Sequence, residues 1–253
     1  MKHSIPRVTL ARDFALISSV CLIWLNSGCT TPHSTSSAPS PPLQTLDMSL
    51  TSLKAQFNRD TSKPRLLALF SPTCEGCIYG AKALQHEAQK MPGLAQSTEL
   101  LIVWVSMLDT DNEMEGRKAA ERFNFQGVRH FYDNKNHVGG LLMAEQFPHA
   151  VRDALEILPA DHPMRKTLER KKDLQPEKMP LWDSVLVFPP GVRWDERSPK
   201  PAWWTRQTGS RVEEEPGKPK VIFWKNKRPV GSDWYLEARE ALDVTQKWNT
   251  KDK

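Results

Sequence analysis

Residues 65–89 read RLLALFSPTCEGCIYGAKALQHEAQ, and the fold follows from how this stretch divides. Residues 66–70 form an unbroken apolar run, the pattern of a central strand covered on both faces. Ser71 and Pro72 end it, and Cys74 and Cys77 follow at C-x-x-C spacing. Ile78, Ala81, Leu84, Ala88 and Met91 then recur with the period of one helix face. Pro92 and Gly93 close that helix. Three residues is about one helical turn, so both sulfurs can lie on one side of the helix, within disulfide reach. Cys74 falls at the helix N-terminus. Free N–H groups and the helix dipole there favour a thiolate. Cys77, one turn in, is placed to attack a mixed disulfide formed on Cys74.

An apolar strand, a C-x-x-C and an amphipathic helix in that order resemble the active-site region of thioredoxin-fold proteins. The resemblance covers about twenty-five residues and departs from thioredoxin at three places. The dipeptide between the cysteines is Glu75-Gly76, and Thr73 stands where tryptophan is usual. Six residues before the first cysteine, where thioredoxin keeps a buried aspartate that handles the proton, this chain has Ala68. Glu75 is one substitute for it, but a residue between the cysteines is expected to face solvent, and its charge would raise a neighbouring thiol's pKa rather than lower it.

Around this centre the chain of 253 residues has room for one sizeable domain with appendages. The net charge of +5 is modest and spread along the chain with acidic residues interspersed. That pattern describes a solvated surface and argues against a nucleic-acid partner. Of four cysteines, Cys21 and Cys29 lie in a leader-like region, leaving Cys74 and Cys77 alone in the folded part. A zinc site would need two more strong ligands. His86, His130, His137, His149 and His162 show no ligand-like spacing. No glycine-rich phosphate loop, H-E-x-x-H or G-x-S-x-G is present.

Residues 1–28 read as an export signal, with Lys2, Arg7 and Arg12 before an apolar stretch at 14–25 that is too short to span a bilayer. Leu25-Asn26-Ser27-Gly28-Cys29 resembles a bacterial lipoprotein cleavage box. That resemblance implies lipidation of Cys29 and attachment to an envelope membrane, the outer one given Thr30. The alternative is an ordinary cleaved signal with an incidental cysteine. Removal of residues 1–28 takes away Lys2, Arg7, Arg12 and Asp13 and lowers the net charge to +3. Residues 29–45 are a Ser/Thr/Pro-rich tether.

Residues 46–250 are expected to form the folded domain. Leu46, Leu50, Leu53 and Phe57 predict a first amphipathic helix. Residues 100–105, LLIVWV, predict a second buried strand. Thr110 and Glu113 have the spacing of a capping box that opens a helix to about Phe123. Strand–helix–strand–helix at this spacing argues for a parallel α/β sheet. Residues 127–138 predict a short strand, a turn and a return. Helices follow over 141–158 and from 161 to about 174. Residues 179–188 are the candidate third core strand.

The fold class expected is α/β: a thioredoxin-like three-layer α/β/α sandwich with a helical insertion, about 127–178, before the third core strand. Its layout resembles that of extracytoplasmic thioredoxin-like reductases and peroxiredoxins. Such folds carry a cis-proline before the third core strand, and Pro180 is the candidate, or else an ordinary loop proline. Residues 189–207 hold Trp194, Trp203 and Trp204 among prolines and arginines. They predict either a binding surface near the cysteines or cover for an exposed sheet edge, with Arg193 and Arg206 placed to stack on the indoles. Residues 211–220 read as a charged turn and 221–224 as an edge strand. A last helix, capped by Ser232 or Asp233, presents Trp234, Ala238, Ala241, Thr245 and Trp248.

The resemblance implies thiol–disulfide exchange on envelope proteins. Cys74 would attack, Cys77 would resolve and Pro180 would position substrate. The reaction would need no metal or organic cofactor, only protein thiol or disulfide substrates and a redox partner protein. Two rivals stand beside it. Two thiolates at this spacing can clamp a soft ion such as Cu(I) or Hg(II). The fold could also serve as a non-catalytic binding module with a static disulfide.

Overall fold

The computed structural model describes residues 43–157, 160–161, 165–206, 210–215, 218–223 and 234–249. The export signal, Cys29, almost all of the tether, His162, Trp224 and the proposed caps Ser232 and Asp233 lie outside the described residues.

Two all-apolar runs set the centre of the sheet. Strand β2 (Arg65–Phe70) pairs in parallel with β3 (Glu99–Val105), and every residue of both is buried. Burial on both faces is what continuous apolar strands require. Beyond β3 lies parallel β4 (Val128–Asp133), then a short edge strand β1 (Gln44–Thr45). On the other side of β2 the direction reverses. Antiparallel β5 (Ser184–Phe188), β6 (Trp203–Arg206), β7 (Ser210–Glu215) and β8 (Lys218–Phe223) complete eight strands in the order β1-β4-β3-β2-β5-β6-β7-β8.

Helices cover both faces. On one lie α2 (Glu75–Gln89), α4 (Glu113–Arg122) and α8 (Trp234–Asn249), which enclose Ala68, Phe70, Ile102, Trp104, Val185 and Val187. On the other, α1 (Thr51–Phe57) and α5 (His137–Gln146) enclose Leu67, Leu69, Val103, Leu186 and Phe188. The alternation of side chains along β2 and β5 divides the core this way. This is the expected three-layer α/β/α arrangement, consistent with a thioredoxin-like fold. The closing helix α8 packs beside α2 as expected. A Cβ on Gly80 would lie 2.9 Å from Trp234 Cε2, so a side chain there would force the two helices apart.

Several elements differ from the sequence reading. The first helix begins at Thr51, and Leu46 and Leu50 are buried before it rather than within it. Helix α4 is capped by Asn112, whose side chain accepts from the Glu115 N–H, instead of by Thr110. After β4 the chain does not return as a strand. Asp133 accepts from the N–H groups of Lys135 and Val138 and turns it into α5. The insertion therefore supplies a strand of the main sheet as well as α5, α6 (Ala150–Ile157) and α7 (Arg165–Glu169). The charged segment read as a turn is a β7–β8 hairpin, with β8 at the sheet edge.

The tryptophans of residues 189–207 form neither a binding surface nor an edge cover. Trp194 is fully buried edge-on against Phe57, with ring centroids 5.6 Å apart. Asn58 holds its backbone from both sides, donating to the carbonyl and accepting from the N–H at 2.8 Å each. Trp203 and Trp204 are successive residues of β6 and enter opposite core layers. Trp204 packs on Phe147, with ring centroids 4.6 Å apart. Arg193 pairs with Asp195 rather than with an indole.

Candidate active site

The strand register brings three chain segments together at one end of the central strands. Phe70, the last residue of β2, pairs with Trp104, and Leu69 pairs with Ser184, the first residue of β5. The exit of β2, the loop after β3 and the entry to β5 therefore meet. The C-terminal ends of parallel strands are where α/β sheets place their sites.

Cys74 is the N-cap of α2, with extended φ/ψ of −77° and 121°. Its sulfur receives a hydrogen bond from the Cys77 thiol and from the backbone N–H groups of Cys77 and Gly76. These are the free donors that every helix start leaves over. The half-buried Cys74 thiol falls from 9.0 to about 6. The Cys77 hydrogen bond is the largest cause, opposed by desolvation and by the charge of Asp111. Cys77 is buried, and its pKa is pushed well above the usual thiol value. Burial is the main cause, followed by the hydrogen bond to Cys74 and the charge of Asp183. The two shifts have opposite signs because Cys77 is buried and donates, whereas Cys74 accepts. Both cysteines are free thiols.

Asp111 ties the cysteine loop to the loop after β3. Its carboxylate accepts from Ser71 Oγ at 2.9 Å, from Thr73 Oγ1 at 2.6 Å and from the Thr73 N–H at 3.2 Å. The N–H groups of Met107 and Leu108 donate to its other oxygen at 2.8 Å each. Ser71 Oγ in turn accepts from the Cys74 N–H at 3.2 Å. Backbone donors from two loops thus converge on one buried carboxylate. This arrangement holds the start of α2 in place.

The sequence reading named Cys74, Cys77 and Pro180. The first two are together at the predicted helix start. The expectation of a cis-proline at Pro180 is not met, because there are no cis peptide bonds among the described residues. Pro180 is half-buried and stands four residues before β5, where the N–H of the next residue, Leu181, donates to the Gly139 carbonyl. Asp183 instead directly precedes β5, with φ of 53° and 3% exposure. The intervening residues are taken up by the contact with α5, which keeps Pro180 apart from the strand entry.

Asp111 and Asp183 were missed for different reasons. Asp111 sits in the run 109–113 and reads as helix-start decoration. Asp183 interrupts an apolar stretch, and aspartate is depleted in strands but tolerates left-handed backbone. That interruption was the available signal. Glu75 is exposed, as expected. His130 is buried on β4, and its Nδ1 accepts from Trp104 Nε1 at 3.2 Å. No group of three His, Cys, Asp or Glu able to hold a metal occurs among the described residues. No helix among them is long and apolar enough to cross a membrane.

No family model matches the chain, and none of the curated proteins matches it. Among solved structures it is similar to one described as the solution structure of a thioredoxin-like protein in the oxidized form. The identity is 12% and the TM-score 0.35, over 73% of this chain and 80% of that one. A likeness that distant assigns neither activity nor partners.

Proposed function

We propose that the chain carries out thiol–disulfide exchange on proteins of the cell envelope, with Cys74 as attacking thiolate and Cys77 as resolving thiol. The observation that carries this reading is the pairing of a half-buried sulfur at a helix N-terminus, ionised near neutral pH, with a buried thiol that donates to it. The first sulfur is accessible and nucleophilic, and the second is sheltered until a mixed disulfide forms. Its substrates are protein thiols or disulfides, and a separate redox protein restores its starting state. The envelope location rests on residues 1–30 alone: the export signal, the lipoprotein-like Cys29, which would tether the domain to a membrane, and Thr30, which favours the outer one. Changing Cys29→Ser is expected to release the protein into the soluble envelope fraction. Retention of the variant on membranes would refute the anchor.

The exchange reading is tested by equilibrating the protein with glutathione or dithiothreitol buffers. The expected result is a reversible Cys74–Cys77 potential between about −270 and −120 mV, the span of this fold. A pair that does not cycle overturns the reading. So does a reduced form that binds Cu(I) far more tightly than a simple dithiol.

A further inference from the structure

Exchange through this pair leaves one proton without an assigned acceptor. The buried Cys77 thiol must lose it before attacking, and the position six residues before Cys74 is Ala68, fully buried and unable to take it. We infer that Asp183 is the proton acceptor for Cys77 in the resolving step, an inference that rests on the exchange reading above.

Geometry places the carboxylate. Ser184 pairs with Leu69 in the antiparallel β2–β5 ladder, so Asp183, just before it, lies at the end of the ladder from which β2 leads through Phe70 to the cysteine loop. Val185 and Val187 face the α2 layer together with Ala68, Phe70 and Cys77. Asp183 directly precedes this strand and adjoins the end of β5 nearest the cysteines. Its left-handed backbone, φ 53°, turns the chain at this point. Ser184 Oγ closes the turn by donating to the Trp182 carbonyl at 2.8 Å. The carboxylate is 3% exposed, and its charge acts on Cys77. Asp111 acts on Cys74 and is held by five donor groups from the two loops. Glu75 is exposed, and on α8 Arg239 is turned to Glu87.

The chemistry then balances. The Cys74 thiolate attacks a substrate disulfide R–S–S–R′, forming the Cys74–S–R bond and releasing R′–S⁻. Cys74 has now lost its charge and no longer attracts the Cys77 proton. That proton passes to Asp183. The Cys77 thiolate attacks the Cys74 sulfur, the Cys74–Cys77 bond forms and the bond to R breaks. R–S⁻ leaves with the proton from the Asp183 carboxyl, which is ionised again. Two electrons have moved: the protein dithiol is oxidised, and the substrate disulfide is reduced to the thiol R–SH and the thiolate R′–S⁻. While the proton is on Asp183 the pocket still carries one negative charge, moved from oxygen to sulfur. Losing the proton to bulk water would instead put two negative charges in a buried site.

The test uses the full chain with Cys21→Ser and Cys29→Ser, so that Cys74 and Cys77 are its only thiols. The probe is 5,5′-dithiobis(2-nitrobenzoate). Attack by Cys74 releases one coloured thiolate, and resolution by Cys77 releases a second. Asp183→Asn keeps a residue that accepts left-handed backbone. It is expected to leave the first phase in place and slow the second about 100-fold at pH 7, the ordinary reach of a general base. The slowed phase should then accelerate about tenfold per pH unit, because hydroxide must take the proton. A carboxylate that merely repelled the Cys77 thiolate would have the opposite effect, since its removal would speed the second phase. Asp183→Gly, which suits the same φ, should slow it likewise. A second phase of normal or increased rate in either variant overturns the assignment. If the unsubstituted chain gives no second phase, the exchange reading falls and this inference with it.

Discussion

The Cys74 thiol at about 6 has a kinetic consequence that changes sign with pH. At pH 7 a thiol of pKa 6 is about nine-tenths ionised, against about one part in a hundred at pKa 9, so about 90 times more thiolate is present. Nucleophilicity falls with pKa, and a three-unit drop lowers the intrinsic rate about 15- to 30-fold. The net is an alkylation rate at pH 7 about 3- to 6-fold above that of an ordinary thiol. At pH 9 the ordinary thiol is half ionised, and Cys74 should be about 8- to 16-fold the slower of the two. The assay is iodoacetamide alkylation from pH 4 to 10, read by mass at Cys74 and checked by thiolate absorbance near 240 nm. The rate should level off just above pH 7 instead of rising through pH 9. Cys77→Ala removes the largest cause of the shift and should move the midpoint upward. A wild-type midpoint at 8 or above would refute the reasoning. So would a midpoint that Cys77→Ala does not move.

Other outcomes follow from the same geometry. Asp111→Asn should destabilise the protein by about 2–4 kcal/mol in chemical denaturation, because donors from two loops lose a charged acceptor. The Cys74 midpoint should nevertheless fall below 6, since the Asp111 charge opposes ionisation of that sulfur; an upward move would refute the electrostatic assignment. His130 is held near 4, below its ordinary 6.5, mainly by burial, with the Phe123 carbonyl opposing. A depressed base leaves the folded state unprotonated while the unfolded chain binds a proton. Stability should therefore drop by up to about 3 kcal/mol as pH falls from 6.5 to 4. His130→Asn, which retains an acceptor for Trp104, should flatten that part of the unfolding profile. An unchanged slope would assign it to other groups.

Residues 65–89 alone determined the centre of the molecule. A five-residue apolar run ended by Ser71 and Pro72 suits a strand buried on both faces, and the apolar spacing after Cys77 suits a helix with one buried side. The N-terminal place of Cys74 follows from those two local facts, as does the proximity of the sulfurs. The second parallel strand and the helix beside α2 were legible for the same reason, since each is a periodic pattern within one segment. What the chain does across segments was not. Whether Trp194, Trp203 and Trp204 face solvent depends on which surfaces meet them, and the indoles prove to be core on both sides of the sheet. Pro180 looked like the residue before the third strand because no local pattern counts the residues that α5 draws into contact. Asp111 and Asp183 lie 37 and 109 residues from Cys74 in the chain, and only the strand register brings their loops to the cysteine pair. Periodicity is a property of neighbouring residues. The electrostatics of a site belong to residues that sheet pairing makes neighbours.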